Sequence, residues 1–541
     1  MRFLSFFLLT TLSTTAAFTQ PARPPKLVVA ISIDQLSSDL FDEYRPRLTG
    51  GLARLATGTA FRNGYQPMAA TETCPGHSTI LTGALPSRSG IIANSWFDLT
   101  QARSDKGVYC AEDERIAGSS SSKYTVSPVH LKVPTLGELM KKANPASRSV
   151  AVAGKDRAAV MMSGQRPDQR WYWDGKEYAS DLVGVVPPVS VGAANQTVAA
   201  LIAAPGLPMS LPDDCAAKAR AVPVGDGKIS VGNGRHARAA GDSRGFRSTP
   251  AFDGMTLALA ARLIGELNLG KGAASDIIAI GLSATDYVGH SYGNGGAEMC
   301  LQLHSLDRDL GDFLGLLDRS GIDYAVMLTS DHGVADIPER TRLKGVTAAA
   351  RVRADLKPAA LGKAIGAKLG LPGPVLIGEG AHGDVYLDLK LSPADRRRAL
   401  AAALAAYRAD PQVEAVFTND QLTRMAVPTG APDLWSLGQR TRASFDAQRS
   451  GDLLVLLKRD ITPIPSPSSG YVATHGSPWD YDRRVPILFW RPGSTPNNRP
   501  EPVATTDIMP TLAAMLGLPI DASRIDGKCV ASARVGVCPA R

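Results

Sequence analysis

Short apolar runs rich in β-branched residues recur along the chain, and a polar turn follows each of them. Four such runs predict buried central strands, at residues 26–33, 149–153, 276–280 and 324–328. Stretches of helical composition lie between them, including residues 254–267 and 301–317. This alternation predicts an α/β fold, a three-layer sandwich around a central, mostly parallel sheet. We expect the functional site in the loops at the carboxyl ends of the strands.

Two stretches interrupt the alternation. Residues 171–248 are rich in Gly, Pro and short polar turns and predict a loop-rich cap insertion. Residues 348–425 follow a helix, strand pair, helix, strand pattern that predicts an α+β insertion. The predicted catalytic domain therefore comprises residues 21–347 and 470–541, with residues 426–469 as a connecting segment.

Residues 1–20 have the pattern of a secretory signal peptide. Arg2 precedes the apolar run at residues 3–9, and small residues end at Ala17, near which we expect cleavage. A membrane anchor is the alternative, but the run is shorter than the roughly 20 residues that a spanning helix needs. We therefore expect a periplasmic or secreted protein without a membrane span.

Charge and cysteine content add two constraints. The formal charge of +8 suits an anionic substrate, whereas no arginine-rich run with interleaved aromatics predicts a stable nucleic-acid partner. Six cysteines, an even number in an exported chain, permit disulfides. Cys529 and Cys538 are close enough in sequence to close a short loop, and Cys74 with Cys110 is a further candidate, but the sequence does not fix the pairing.

Three acidic residues follow predicted strands: Asp34, Asp286 and Asp331. Each alone is typical of a turn or a helix cap. Three histidines change that interpretation, because they lie in the same kind of loop: His290, His332 and His475. Carboxylates and imidazoles are ligands that a pair of zinc ions accepts, and manganese or calcium could substitute in part.

The other histidines have a simpler interpretation. We expect no metal at four of them: His130, His236, His304 and His382. His77 is intermediate, because it lies four residues after Thr73 and either supports the site from behind the ligands or satisfies local backbone groups.

Thr73 lies two residues before Pro75 at a predicted helix start. A helix N-terminus there would offer amide donors and a positive dipole end to an oxyanion, although an ordinary threonine N-cap has the same local sequence. A hydroxyl needs activation to attack, and coordination to a metal would supply it.

Taken in order, these residues resemble the alkaline phosphatase superfamily. The resemblance rests on Asp34, residues 73–77, residues 90–94, Asp286 with His290, residues 331–333, His475 and a closing segment at residues 505–512. It implies one zinc held by Asp286, His290 and His475. It implies a second zinc held by Asp34, Asp331, His332 and the Thr73 oxygen.

Lys155 and Arg157 resemble the Lys-x-Arg pair of the PafA-type bacterial alkaline phosphatases, which use a threonine nucleophile. The resemblance also implies that Asn94 donates a hydrogen bond to a phosphoryl oxygen. Two zinc ions would balance three aspartates and a threonine alkoxide, so the Lys155 and Arg157 charges match a phosphate monoester dianion.

The sequence therefore predicts a metal-dependent alkaline phosphatase with two Zn²⁺ that hydrolyses small-molecule phosphate monoesters through a phosphothreonine on Thr73. Side activity on diesters is compatible with it, and a monomer is favoured.

A nucleotide pyrophosphatase or phosphodiesterase is the nearest alternative, since its Thr-x-Pro-x-His segment is very similar to residues 73–77. A phosphonoacetate hydrolase is a related option. A sulfatase would need Cys or Ser at Thr73 and Arg at His77. A non-catalytic exported protein that binds metal or phosphate is the alternative from another class.

Overall fold

The computed structural model of the chain describes residues 23–539, so the predicted signal peptide at residues 1–20 lies outside the described residues. Within the described part, no helix combines the length and the apolar character needed to cross a membrane.

A mixed sheet of ten strands forms the centre of the fold. Five neighbouring strands are parallel, and antiparallel strands flank them on both sides. In spatial order, the strands are Asn497–Arg499, Thr59–Tyr65, Arg484–Trp490, Tyr324–Thr329, Leu27–Ile33, Asp276–Leu282, Ser149–Ala153, Gln169–Trp173 and Tyr178–Ala179, and Val503–Ala504 pairs with Thr59–Tyr65.

The Leu27–Ile33 strand is buried on both of its faces. Its side chains alternate between two hydrophobic clusters, because successive residues of a strand point to opposite sides of the sheet. Leu27, Val29, Ile31 and Ile33 join one cluster, and Val28 and Ala30 join the other. A continuous apolar run is thus what this central position requires.

Helices cover both faces and complete the three layers. One face packs against helices Ser38–Tyr44, Gly51–Leu55, Val189–Ala203, Pro250–Glu266, Ala284–Tyr292 and Ala297–Arg319. The other face packs against Thr73–Thr82, Leu136–Ala143, Asp156–Ser163 and Ile508–Met515. The predicted α/β sandwich is confirmed.

The region predicted as a loop-rich cap, residues 171–248, is more regular than its composition indicates. It begins inside the strand Gln169–Trp173, next to one edge of the central sheet, and contains the 15-residue helix Val189–Ala203 and a hairpin of Val222–Val224 with Ile229–Val231. Glu266, far along the chain, accepts hydrogen bonds from the first amide groups of that helix, at Val189 and Ser190. Because the residue that caps this helix is distant in sequence, the local sequence does not predict where the helix begins.

A second sheet with its own hydrophobic cluster lies in the later part of the chain. Its four strands, in spatial order, are Leu376–Ile377, Gly383–Leu387, Leu453–Leu457 and Val413–Thr418, and helices Pro358–Leu369 and Pro393–Ala409 pack on it. The Leu453–Leu457 strand belongs to the segment predicted as a connection, at residues 426–469. That segment therefore contributes a central strand, and the domain boundaries stay a prediction.

Three disulfides join Cys74 to Cys110, Cys215 to Cys300 and Cys529 to Cys538. The first ties the start of the Thr73–Thr82 helix to the loop after the short strand Gly107–Tyr109.

Candidate active site

Parallel strands of the central sheet end together and bring the acidic residues to one edge. Asp34 directly follows the Leu27–Ile33 strand, which pairs in parallel with both neighbours. Asp331 and His332 follow the strand Tyr324–Thr329 on one side. On the other side, Asp286 lies in the first turn of the helix that follows Asp276–Leu282.

Asp286, His290 and His475 form one cluster. The spacing of four residues places Asp286 and His290 on one face of their helix, with His290 Nε2 3.3 Å from Asp286 Oδ1. His475 arrives from a distant loop, and its Nε2 lies 3.5 Å from the same oxygen.

Asp34, Asp331, His332 and His77 form the second cluster. His332 Nε2 lies 3.2 Å from Asp331 Oδ2. His77 lies between the two carboxylates, with Nε2 3.2 Å from Asp34 Oδ1 and Nδ1 3.3 Å from Asp331 Oδ2. The rings of His332 and His475 stack with centroids 3.5 Å apart, so the two clusters adjoin.

Backbone carbonyls set the tautomer of the three predicted histidine ligands. Nδ1 of His290 lies 2.7 Å from Ala473 O, and Nδ1 of His475 lies 2.8 Å from Thr71 O. Nδ1 of His332 lies 2.9 Å from its neighbour's carbonyl. A carbonyl only accepts, so each Nδ1 donates a proton, and it is Nε2 of each ring that faces the site and would offer its lone pair to a cation.

These donors fit divalent cations. A lone pair facing a carboxylate needs a proton or a cation between the two acceptors, and the Nε2 to oxygen spacings of 3.2–3.5 Å match the roughly 3.3 Å between tetrahedral ligands with bonds of about 2.0 Å. Buried atoms without a hydrogen-bond partner include Asp34 Oδ1, Thr73 Oγ1 and His332 Nε2. Oxygen and imidazole ligands without thiolate are compatible with zinc.

The electrostatics of the site favour charged carboxylates and one neutral imidazole. Burial opposes the ionisation of Asp286, but His290 and Lys155 outweigh it and hold the pKa of this carboxyl well below its ordinary value. Burial and the neighbouring His332 lower the pKa of His475 to about 3. His475 is therefore neutral at physiological pH, as a metal ligand must be.

A further group of potential ligands, Asp214, Cys215, Cys300 and His304, lies elsewhere in the fold. Its two sulfurs are joined in a disulfide, so they offer no thiolate. His304 Nε2 lies 3.0 Å from Asp214 Oδ2.

Thr73 is the first residue of its helix, and its side chain is buried, with no hydrogen-bond partner for Oγ1 in the part of the chain that the structure describes. The amide of Cys74 donates to Asn94 Oδ1 at 2.8 Å, so this helix amide is engaged by a side chain rather than open to an oxyanion. The backbone N–H of Asn94 in turn donates to Glu72 Oε2 at 2.7 Å. Because the side-chain oxygen of Asn94 accepts from Cys74, its side-chain NH₂ group is the part that can donate to a ligand.

Lys155 is buried and bridges the two clusters. Its Nζ lies 2.8 Å from Asp34 Oδ2 and 2.5 Å from Asp286 Oδ2. Burial lowers the pKa of Lys155, but Asp286 and Asp34 raise it by more, so the ammonium group is charged. Arg157 makes no such ion pair with the described residues, and its Nη1 lies 3.4 Å from the Tyr109 hydroxyl.

A cavity of about 560 Å³ opens beside these groups. Asn94, Arg157, His290 and His475 line it from the catalytic side. The second sheet and its loops supply the facing wall, including Glu379, His382, Asp384, Tyr386 and Leu454–Leu457. The cavity therefore lies between the two clusters and the second sheet.

The sequence of the chain is similar to those of known proteins. A family model described as Type I phosphodiesterase / nucleotide pyrophosphatase matches residues 28–478. Alkaline phosphatase PhoK of a Sphingomonas species is 54% identical over 512 residues, which cover 94% of this chain and 91% of that protein. The chain belongs to the alkaline phosphatase superfamily.

Other members of the superfamily agree. Alkaline phosphatase PhoD of Zymomonas mobilis is 46% identical over 523 residues, 95% of this chain and 90% of that protein. A crystal structure of alkaline phosphatase PafA aligns with a TM-score of 0.81 at 25% identity, covering 94% of this chain and 99% of that one. A murine ectonucleotide pyrophosphatase / phosphodiesterase 5 structure has a TM-score of 0.53 at 13% identity and shares the fold alone.

The predicted membership of the alkaline phosphatase superfamily, and with it the prediction of an enzyme, is confirmed. The structure brings together all the predicted site residues, whose individual roles stay predictions: Asp34, Thr73, Asn94, Lys155, Arg157, Asp286, His290, Asp331, His332 and His475.

Three contributors were not predicted from sequence: Glu72, Tyr109 and the facing wall around His382. Glu72 adjoins Thr73, and the candidate pairing of Cys74 with Cys110 would have brought Tyr109 close to it. No local signal marks His382.

Proposed function

We propose that this chain is an exported two-zinc phosphomonoesterase that transfers the phosphoryl group of its substrate to Thr73 and then to water. The observation that supports it most is the buried Thr73 Oγ1 at the start of a helix, which has no hydrogen-bond partner among residues 23–539 and lies four residues before His77 of the second cluster.

The proposed metal sites follow the family resemblance, and the grouping of Asp286 with His290 and His475, and of Asp34 with Asp331 and His77, supports them. Asp286, His290 and His475 would hold one zinc. Asp34, Asp331, His332 and Thr73 would hold the other, with His77 beside them. When bound, two divalent cations stabilise negative charge on the attacking and leaving oxygens of an in-line displacement.

The chain's own groups then position the substrate. Thr73 Oγ1 gives up its proton and forms a bond to phosphorus while the bond to the leaving oxygen breaks, and the leaving oxygen takes up a proton and departs as the alcohol. In the second step a water oxygen attacks phosphothreonine, the bond to Thr73 Oγ1 breaks, a proton from that water returns to Thr73, and inorganic phosphate is released. The Asn94 NH₂ group donates to a phosphoryl oxygen. Lys155 and Arg157 supply two positive charges for a dianion, and such charge stabilisation is the main requirement of phosphoryl transfer.

The test of the nucleophile is acid-quench trapping of a phosphoenzyme from labelled phosphomonoester. Wild type and Thr73→Ser should form labelled protein, whereas Thr73→Ala should form none and should largely keep its zinc content, because Asp34, Asp331 and His332 remain as ligands. Normal turnover by Thr73→Ala would remove Thr73 from the mechanism. Absence of any alcohol release from a phosphomonoester by wild type would favour the non-catalytic binding protein.

The family description favours a second candidate, a nucleotide pyrophosphatase or phosphodiesterase. Rates on nitrophenyl phosphate and on its methyl diester separate the two. We expect a monoester preference, because the diester carries one negative charge fewer opposite Lys155 and Arg157. A marked diester preference would support the second candidate.

Export to the periplasm or the medium is proposed on the signal pattern of residues 1–20 and on the three disulfides, which persist in oxidising compartments. Cell fractionation with activity measurement tests it, and activity confined to the cytoplasm would contradict it.

A further inference from the structure

Arg157 is held differently from Lys155. Among residues 23–539, no carboxylate lies within ion-pair distance of its guanidinium, and its buried Nε has no hydrogen-bond partner. The side-chain hydrogen bond that it does make runs from Nη1 to the hydroxyl oxygen of Tyr109, at 3.4 Å. The orientation of the Arg157 guanidinium therefore depends on the position of the Tyr109 hydroxyl.

Asp156 fixes the hydroxyl. This buried carboxylate starts the helix Asp156–Ser163, where the dipole favours negative charge. Its Oδ1 accepts from the Tyr109 hydroxyl at 2.7 Å and from the Arg157 amide at 2.7 Å. Its Oδ2 accepts from the Tyr124 hydroxyl at 2.8 Å. Hydrogen bonds to a charged acceptor are stronger than neutral ones, so the geometry is well defined.

The direction of these bonds matters. A tyrosine hydroxyl has one proton, and Tyr109 gives it to Asp156. The remaining lone pairs of that oxygen can only accept, and Arg157 donates to them. Asp156, Tyr109 and Arg157 thus form a polarised chain in which each bond strengthens the next.

Tyr109 is also tied to the nucleophile. Its neighbour Cys110 forms the disulfide with Cys74, and the Cys110 amide donates to the Asn94 carbonyl at 2.9 Å. One short segment therefore sets Arg157 relative to both Thr73 and Asn94.

We propose that Tyr109, held by Asp156 and supported by Tyr124, is a positioning residue that aims Arg157 at dianionic phosphoryl groups and so sets the preference for monoesters over diesters. This inference rests on the proposed function. It adds residues that do not touch the substrate themselves.

The experiment measures kcat/KM of the zinc-loaded, full-length mature enzyme on nitrophenyl phosphate and on its methyl diester. Tyr109→Phe should lower the monoester value about tenfold, the equivalent of one hydrogen bond to a charged group, and the diester value less than about twofold. In an Arg157→Ala background, the same substitution should change neither value further.

Tyr178→Phe is the matched control. Tyr178 is a buried tyrosine whose hydroxyl hydrogen-bonds to Thr256 Oγ1 at 2.8 Å, and it belongs to the hydrophobic cluster on one face of the central sheet. It should change both rates by less than about twofold, because loss of one neutral hydrogen bond there affects stability alone. If Tyr109→Phe fails to fold, Tyr124→Phe carries the same test, with an expected monoester loss of about threefold.

Equal losses on monoester and diester, or a Tyr109→Phe effect that persists without Arg157, would overturn the inference. Failure of the proposed function has a different signature, namely a wild type without monoester preference or an Arg157→Ala variant without a monoester defect. A strong Arg157→Ala defect beside a fully active Tyr109→Phe leaves the proposed function intact and rejects the positioning role.

Discussion

Replacement of Lys155 by methionine should destabilise the metal-free protein far more than the metal-loaded protein. Lys155 Nζ lies 2.8 Å from Asp34 and 2.5 Å from Asp286, and all three side chains are buried. Methionine keeps most of the volume and removes the charge, so in the metal-free protein both carboxylates lose their shared partner. Bound cations would neutralise the same carboxylates and make the ammonium group largely redundant for stability.

The magnitude follows from the burial. Breaking a buried ion pair by removing one partner costs about 3–5 kcal/mol. With an unfolding entropy of about 2.1 cal/mol/K per residue, a chain of this length has about 1.1 kcal/mol/K in total, so the melting temperature should fall by about 3–5 °C without metal. With zinc present, we expect a fall below about 1 °C.

The assay is scanning fluorimetry at pH 8 and a fixed scan rate, with chelator or with zinc. Arg157→Met is the matched control, because Arg157 has no carboxylate within ion-pair distance among residues 23–539 and should give the same shift in both conditions. An equal fall for Lys155→Met with and without zinc would refute the reasoning that the ammonium and the cations compensate the same charges.

Three further outcomes are expected. Burial raises the pKa of Asp253 to about 7. The folded state thus holds a proton there that the unfolded state releases near pH 4, and stability from this group falls as the pH rises to about 7. The free energy of unfolding of Asp253→Asn should therefore rise relative to wild type as the pH increases from 5 to about 7, by at most about 4 kcal/mol, and a difference in melting temperature that does not change with pH would contradict this. Removing the Cys215–Cys300 disulfide, with a sequence separation of 85, should lower the free energy of unfolding by about 4.5 kcal/mol. Removing Cys529–Cys538, with a separation of 9, should lower it by about 2.5 kcal/mol, because the loop that it closes is shorter. The reverse order in thermal unfolding would contradict this loop-closure estimate. His332→Ala should lose about one zinc per chain by elemental analysis. His236→Ala is the control and should lose none, because both ring nitrogens of His236 face backbone carbonyls. Equal zinc contents in the two variants would exclude His332 as a ligand.

The part of the fold that could be predicted is the part in which local pattern and tertiary position agree. The Leu27–Ile33 run is apolar at every position because both of its faces are covered, and a polar residue directly after such a run lies at the sheet edge. Asp34 was found in that way. The combination of Thr73, Asp286 and His475 needed the family resemblance, because their contacts span hundreds of residues.

The parts that were not predicted depend on partners distant in sequence. The Val189–Ala203 helix has few charged or periodic positions, and Glu266 caps it from another helix. The Leu453–Leu457 strand completes a sheet whose other strands lie before residue 419. Lys155 was predicted to face phosphate. Its pairing with Asp34 and Asp286 could not be predicted, because the three residues follow different strands that are distant in sequence.

The cavity has two walls of separate origin, and this has an evolutionary consequence. Under the proposed function, phosphoryl transfer takes place at the wall built on the central sheet, and the departing alcohol would face residues such as His382 and Tyr386 on the other wall. Selection can therefore retune which esters are accepted by altering the second wall, while the bond-breaking apparatus is inherited unchanged.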